Sequence, residues 1–275
     1  MTRIDAHQHF WNPARGDYGW LTAALPICRP YGPADLAPLL AESRIDGTVL
    51  VQAAPTLEET EYLLGIADAT PFVRGVVGWI DFEDDGQRRH LERLAGHPKL
   101  VGVRPMIQDL RDDDWMLRSD IAWAFDAVHD LGLVFDALVL PRHLPRLARL
   151  LTRHPNLTVV IDHAAKPEIR SGASAGWASH MKALAAETTA WCKLSGLATE
   201  AAADWSVETL RPYVEQLFAT FGPDRLIFGS DWPVSTLATT YPGWIEAVER
   251  LTSGLSGLER QGLFGGTATR VYGLG

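Results

Sequence analysis

The sequence predicts an α/β fold of the (β/α)₈ barrel type, on three observations. Eight short runs rich in valine, isoleucine and leucine recur along the chain. The segments between them repeat their apolar residues at helical spacing. No shift of composition and no Pro/Gly-rich linker divides the 275 residues, so a single domain over 1–275 is expected. Apolar runs this short do not make helices and suit the buried strands of a parallel sheet. Strand and helix alternating over about 250 residues is the pattern of a closed eight-stranded barrel.

Taken in order, the strands are expected in "RIDAHQHF" (3–10), "DGTVLVQAAP" (46–55), "FVRGVVGWID" (72–81), "LVGVRPMIQD" (100–109), "GLVFDALVL" (132–140), "LTVVIDHAAKP" (157–167), "TAWCKLSGL" (189–197) and "RLIFGSDWPV" (225–234). Intervening stretches such as "TEYLLGIADAT" and "RHLPRLARLLTRH" carry the helical pattern. Polar residues at the C-terminal ends of barrel strands face the usual active-site mouth, whereas those preceding strands lie on the opposite, stabilising face. By this rule His97 and His154, which precede strands, are turn or helix-end residues, and His90 and His129 sit in helices. His143 and His180 follow strands but fall in helix-like stretches.

Three histidines remain at strand ends: His7, His9 and His163, with Asp231 closing the last strand. Residues i and i+2 of a strand share a face, so His7 and His9 are aimed at one small volume. Closure of the barrel sets strand eight beside strand one and brings Asp231 alongside. These four groups suit one divalent ion, zinc by preference, or a metal-free site in which Asp231 is a general base and the imidazoles donate to an oxyanion. Arg104 ends strand four, where a guanidinium needs an anionic or carbonyl partner, from a substrate or from a neighbouring carboxylate. Lys166 follows His163 by three residues and is a candidate for a substrate oxygen. Asp81, Asp136 and Gln52 are placed like Arg104, while Lys193 and Ser195 share a parity whose direction depends on the barrel's shear. Among ten tryptophans, Trp11, Trp79 and Trp232 stand at strand ends and Trp20 in the first long loop, where indoles either wall the mouth and meet the C–H face of a sugar ring or, as is commoner for tryptophan, serve packing.

Composition removes several function classes. A formal charge of -9 opposes affinity for nucleic acid or anionic membranes. Two distant cysteines, Cys28 and Cys192, make neither a disulfide framework nor a thiolate zinc site and suit a reducing cytoplasm. The start of the chain has no signal-peptide pattern, and no run approaches the ~18 to 20 apolar residues of a membrane span. A G-x-S-x-G elbow, a phosphate loop and a dinucleotide fingerprint are all missing, which sets aside serine hydrolases, nucleotide chemistry and hydride transfer.

The motifs "IDAHQHFW", "DHAAKP", "CKLSGL", "FGSDWPV" and "FGGTATRVYGL", spread over residues 4–274, together resemble the amidohydrolase superfamily. Within it they are similar to the branch of sugar lactone hydrolases of the L-fuconolactonase and L-rhamnonolactonase type, related to pyrone dicarboxylate lactonase. The resemblance implies that His7 and His9 are the first-strand pair, that His163 is the histidine after "VVID", and that Asp231 handles the proton of water. Binuclear members of the superfamily bridge two metals with a strand-four lysine or glutamate and carry histidines on strands five and six. Here strand four offers Arg104 and strand five has no histidine, so at most one ion is expected, and metal-independent catalysis stays open. The activity implied is opening of an aldonolactone: Asp231 deprotonates water, His163, Arg104 or the metal stabilises the oxyanion, and Asp231 returns the proton to the ring oxygen. A metal-dependent decarboxylase and a catalytically silent sugar-binding barrel are the alternatives. Which lactone is used and the oligomeric state are not written in the sequence.

Overall fold

A computed structural model describes residues 2–275, and each of the eight predicted runs contains a strand. These are β1 (Ile4–Gln8), β2 (Gly47–Val51), β3 (Val73–Gly78), β4 (Leu100–Val103), β5 (Val134–Ala137), β6 (Val159–Ile161), β7 (Trp191–Leu194) and β8 (Leu226–Phe228). They pair in sequence order, every pair parallel, in one sheet. The ring closes at the mouth, where Asp231 N donates to His7 O at 2.8 Å and His9 N to Trp232 O at 2.7 Å. Beneath this seam the buried Asp5 carboxylate accepts from Ser230 N (2.8 Å), Ser230 Oγ (2.6 Å) and Tyr241 Oη (3.1 Å), tying β1 to the segment after β8 and to the helix Tyr241–Leu251.

Strands so enclosed have no solvent face, which is why they read as unbroken apolar runs. One apolar set, including Ile4, Ala6, Val49, Val51, Val77, Val134, Val160 and Ile227, clusters with Tyr272 and Leu274 from the C-terminal segment. A larger set lies between the sheet and the helices. Helix starts carry ordinary chemical signals. In α1 (Pro33–Ser43) proline takes the first turn and the Asp35 carboxylate accepts from Gly32 N at 2.9 Å; in α2 (Leu57–Ala69) the Thr56 hydroxyl accepts from Glu59 N at 3.1 Å. No helix among the described residues is long and apolar enough to cross a membrane. Both cysteines are free.

Pairing of β1 with β2 shifts register between Asp5 and Gln8. Strict alternation would give Asp5 and His7 the same surroundings, but Asp5 reaches Tyr241 whereas His7 reaches Asp162 and Lys193. An irregularity of this kind re-aims a side chain at a barrel rim.

Candidate active site

The structure brings His7, His9, His163 and Asp231 to one point. Asp231 Oδ1 lies 3.3 Å from His9 Nε2 and 3.8 Å from both His7 Nε2 and His163 Nε2. All four side chains are buried. His9 Nδ1 is 2.8 Å from Val51 O, and because a carbonyl only accepts, that nitrogen carries the proton and Nε2 presents a lone pair to the carboxylate. Two acceptors then face each other across 3.3 Å, an arrangement satisfied by a cation or a shared proton. The separation is also that of neighbouring ligands in a tetrahedral shell, roughly 3.3 Å for bonds of ~2.0 Å.

Behind these groups lies a charged network hidden from solvent. Lys193 Nζ meets Asp136 Oδ2 at 2.5 Å, Asp162 Oδ1 at 2.9 Å and His7 Nδ1 at 3.2 Å. Asp136 also accepts from Tyr272 Oη at 2.7 Å. Arg104 Nη1 lies 3.2 Å from both Asp162 Oδ2 and His7 Nε2, and its other nitrogens donate to the Gln52 side chain and carbonyl. Arg104 therefore has the carboxylate partner that a purely structural role would require and, at the same time, a place on the cavity wall. Lys193 and Ser195 both point inward, Ser195 Oγ meeting His163 Nδ1 at 2.9 Å.

Asp162 is the group that sequence reasoning missed. Its only signal is its place next to His163 in "VVIDH", and two adjacent strand-end residues would ordinarily face apart. They converge because the chain leaves β6 through four consecutive left-handed residues, His163 to Lys166, with φ between 50° and 56°. Asp231 is left-handed too, at φ 59°. Non-glycine residues held in this region cost about 1–3 kcal/mol each and persist where the surroundings over-determine them. Here Lys166 N donates to His163 O at 2.8 Å and Trp177 Nε1 to Ala164 O at 2.7 Å.

Gly196, at φ 65°, leaves the room that His163 occupies, since a Cβ there would fall 2.6 Å from His163 Nδ1. Gly196→Ala is accordingly expected to destabilise the protein by about 1–3 kcal/mol and to displace the imidazole. Thermal melting and kcat measured together check this, and a variant unchanged in both would show that His163 is not held against Gly196.

His9, His163 and Asp231 line a cavity of about 180 Å³ together with Trp20, Arg104 and Lys166, and His7 is buried behind them. The expected tryptophan wall is corrected in detail. Trp11 is buried, its Nε1 donating to Arg29 O at 2.9 Å, and Trp232 is buried against Phe10 and Tyr31. Trp79 and Asp81 line a neighbouring cleft with Phe82 and Trp115. Packing claims these indoles because a residue beyond a strand end no longer follows the strand's alternation, and Trp20 alone of the four reaches the cavity. Lys166 reaches it as well, 3.9 Å from Glu200. Elsewhere His97 pairs with Asp68 and His154 with Asp126 at helix ends, while His90, His129 and His180 are exposed. His143 is buried and bonded to Leu140 N and Asp113.

Burial pushes His163 down to about 4 and His7 well below the ordinary imidazole value, so both are neutral near pH 7. Burial would raise Asp231, but His163 and the adjoining rings of His9 and His7 outweigh it and hold the carboxyl below the usual range. Asp136 is pushed up to about 6 by burial, against the pull of Lys193. Asp162, which burial would also raise, is held well below the ordinary range by Lys193 and His7. Two groups of donors lie close enough to hold an ion: His7, His9 and Asp231, and His7, Asp162 and His163. In the second, Lys193 and Arg104 already occupy the two oxygens of Asp162. The first fits a metal better, having two imidazoles, one carboxylate and room on the cavity side, which is the donor set of a catalytic zinc. His163 stands outside that first group, so the predicted four-ligand set divides into three candidate ligands and a neighbouring neutral imidazole.

An L-fucono-1,5-lactonase from Burkholderia ambifaria is 47% identical, the match covering 98% of this chain and 95% of the relative. A second L-fucono-1,5-lactonase, from Burkholderia multivorans, is 36% identical over 99% of this chain and 96% of its own. The crystal structure of a Burkholderia multivorans amidohydrolase with bound zinc superposes at a TM-score of 0.94, with 36% identity and full coverage of both chains. Residues 4–274 match the amidohydrolase family, and with the barrel, the seam and the strand-end donors in place, the chain belongs to it.

Proposed function

We propose that this protein hydrolyses a sugar lactone of the L-fucono-1,5-lactone kind to the open hydroxy acid. The observation that carries the reading is Asp231 Oδ1 within 3.8 Å of three imidazole nitrogens, at the mouth of a cavity that Arg104 also lines. A cavity of about 180 Å³ suits a small molecule such as a single sugar ring. The two L-fucono-1,5-lactonases similar to this chain support the same substrate class.

Asp231, ionised at neutral pH, takes the proton of the attacking water as the new C–O bond forms at the ring carbonyl. Neutral His163, its Nδ1 held by Ser195, presents Nε2 to the oxyanion, and the Arg104 guanidinium adds positive charge from strand four. The proton then passes from Asp231 to the leaving ring oxygen, so one residue serves as base and acid in turn. Lys166 is the nearby cation for a substrate hydroxyl or carbonyl oxygen. His7, His9 and Asp231 would hold a zinc ion, which when bound would supply Lewis acidity beside the attacking water. The free thiols of Cys28 and Cys192 favour a cytoplasmic setting.

The test is a pH-indicator assay of purified protein on a panel of aldonolactones, L-fucono-1,5-lactone among them, with and without chelator. Lactone opening releases acid above the spontaneous rate. Proton consumption with loss of carbon dioxide from an aromatic acid, and no lactone opening, would mark a decarboxylase and reject the proposal. Elemental analysis is expected to return no more than one zinc per chain, reduced in His9→Ala. Two tightly bound ions per chain would contradict the single-ion site.

A further inference from the structure

We infer that Trp20 is a specificity-determining wall of the substrate cavity and that Glu59 is the positioning residue that holds it there. The inference rests on the lactonase reading. Trp20 rides on the long connection between β1 and α1, residues 9–32, whose only helical element is the turn Pro13–Arg15. A loop of that length does not by itself fix an indole. It is fixed from α2. The buried Glu59 carboxylate accepts from Tyr18 Oη at 2.7 Å, on the Trp20 loop, and from Ala53 N at 3.2 Å. The carbonyl of the same Ala53 accepts from Trp20 Nε1 at 2.7 Å. One residue after β2 thus connects the carboxylate to the indole.

The surroundings strengthen the clamp. Asp17 accepts from Arg15 at 2.6 Å and from Thr56 Oγ1 at 3.0 Å, which ties the loop to the cap of α2. Trp11 meets Trp20 edge to face with ring centroids 5.3 Å apart. With its N–H spent on Ala53 and one side against Trp11, Trp20 has only C–H and π surface left for the cavity. That surface suits the apolar face of a saturated sugar ring, while Arg104, Lys166 and Asp231 meet its oxygens. Glu59 touches no part of the cavity lining except through this chain of bonds.

The experiment is a double-mutant cycle read in steady-state kinetics on L-fucono-1,5-lactone. Trp20→Ala is expected to raise KM about 5- to 20-fold with kcat within about threefold, and Trp20→Phe to recover most of the loss. Glu59→Ala should raise KM in the same direction, Glu59→Gln should restore it, and adding Glu59→Ala to Trp20→Ala should raise KM no further. Should Glu59→Ala fail to fold, Tyr18→Phe removes only the hydroxyl that meets Glu59 and takes its place in the cycle. Unchanged KM in Trp20→Ala, or KM effects of the two sites that multiply, would overturn the inference and leave the lactonase reading intact. A wild-type protein that opens no lactone on the panel would overturn both.

Discussion

Asp231→Asn is expected to yield a folded protein whose kcat on a sugar lactone is lower by at least ~10²-fold, the scale of losing a general base. The amide keeps the size of the carboxylate and its backbone bonds to β1 but cannot take a proton from water. It also removes the negative charge that lies within 3.8 Å of His7, His9 and His163 together. The loss of charge relieves the facing acceptors of Asp231 and His9, so melting temperature should hold or rise while activity falls. Circular dichroism, thermal melting and kcat on one preparation check this. Turnover near that of wild type in a folded Asp231→Asn protein would take Asp231 out of the mechanism.

Arg104→Met is expected to lower kcat/KM by about 30- to 10³-fold, corresponding to roughly 2 to 4 kcal/mol where a guanidinium meets a desolvated oxygen. Melting temperature should fall too, because the substitution strips Asp162 of one of its two cationic partners in a buried network. Arg104→Lys separates the two effects. An ammonium can restore charge beside Asp162, but it cannot also span the Gln52 side chain and carbonyl as the planar fork does. Stability recovering without activity is the outcome that places Arg104 in transition-state stabilisation. If both variants lose only thermal stability and keep their kinetics, its role is the ion pair alone.

Much of the molecule was legible in the sequence because local chemistry writes it there. Apolar runs of the right length made the eight strands readable, and the strand-end rule separated His7, His9, His163, Arg104 and Asp231 from the histidines of turns and helices. The same rule misled for Trp11, Trp79 and Trp232. It places a residue near the mouth but does not say whether a neighbouring side chain covers it, and Tyr31, Phe10 and the Trp115 cleft do. Trp20 carried no strand signal, and its position depends on a carboxylate almost forty residues further along.

What the sequence by itself determined is therefore the eight strands, their alternation with helices that implies the barrel, and the identity of the strand-end donors, since each is written in patterns a few residues long. Tertiary structure alone decided the rest. The register shift in β1 turned His7 toward Asp162, and the left-handed run after β6 set Asp162 and His163 on a common target. The stagger of the strands sent Lys193 inward to Asp136, with Tyr272 meeting that carboxylate from the C-terminal helix. The physical reason is that stagger and loop path are properties of the closed ring. They minimise the energy of contacts between residues far apart in the chain, and no local pattern records them.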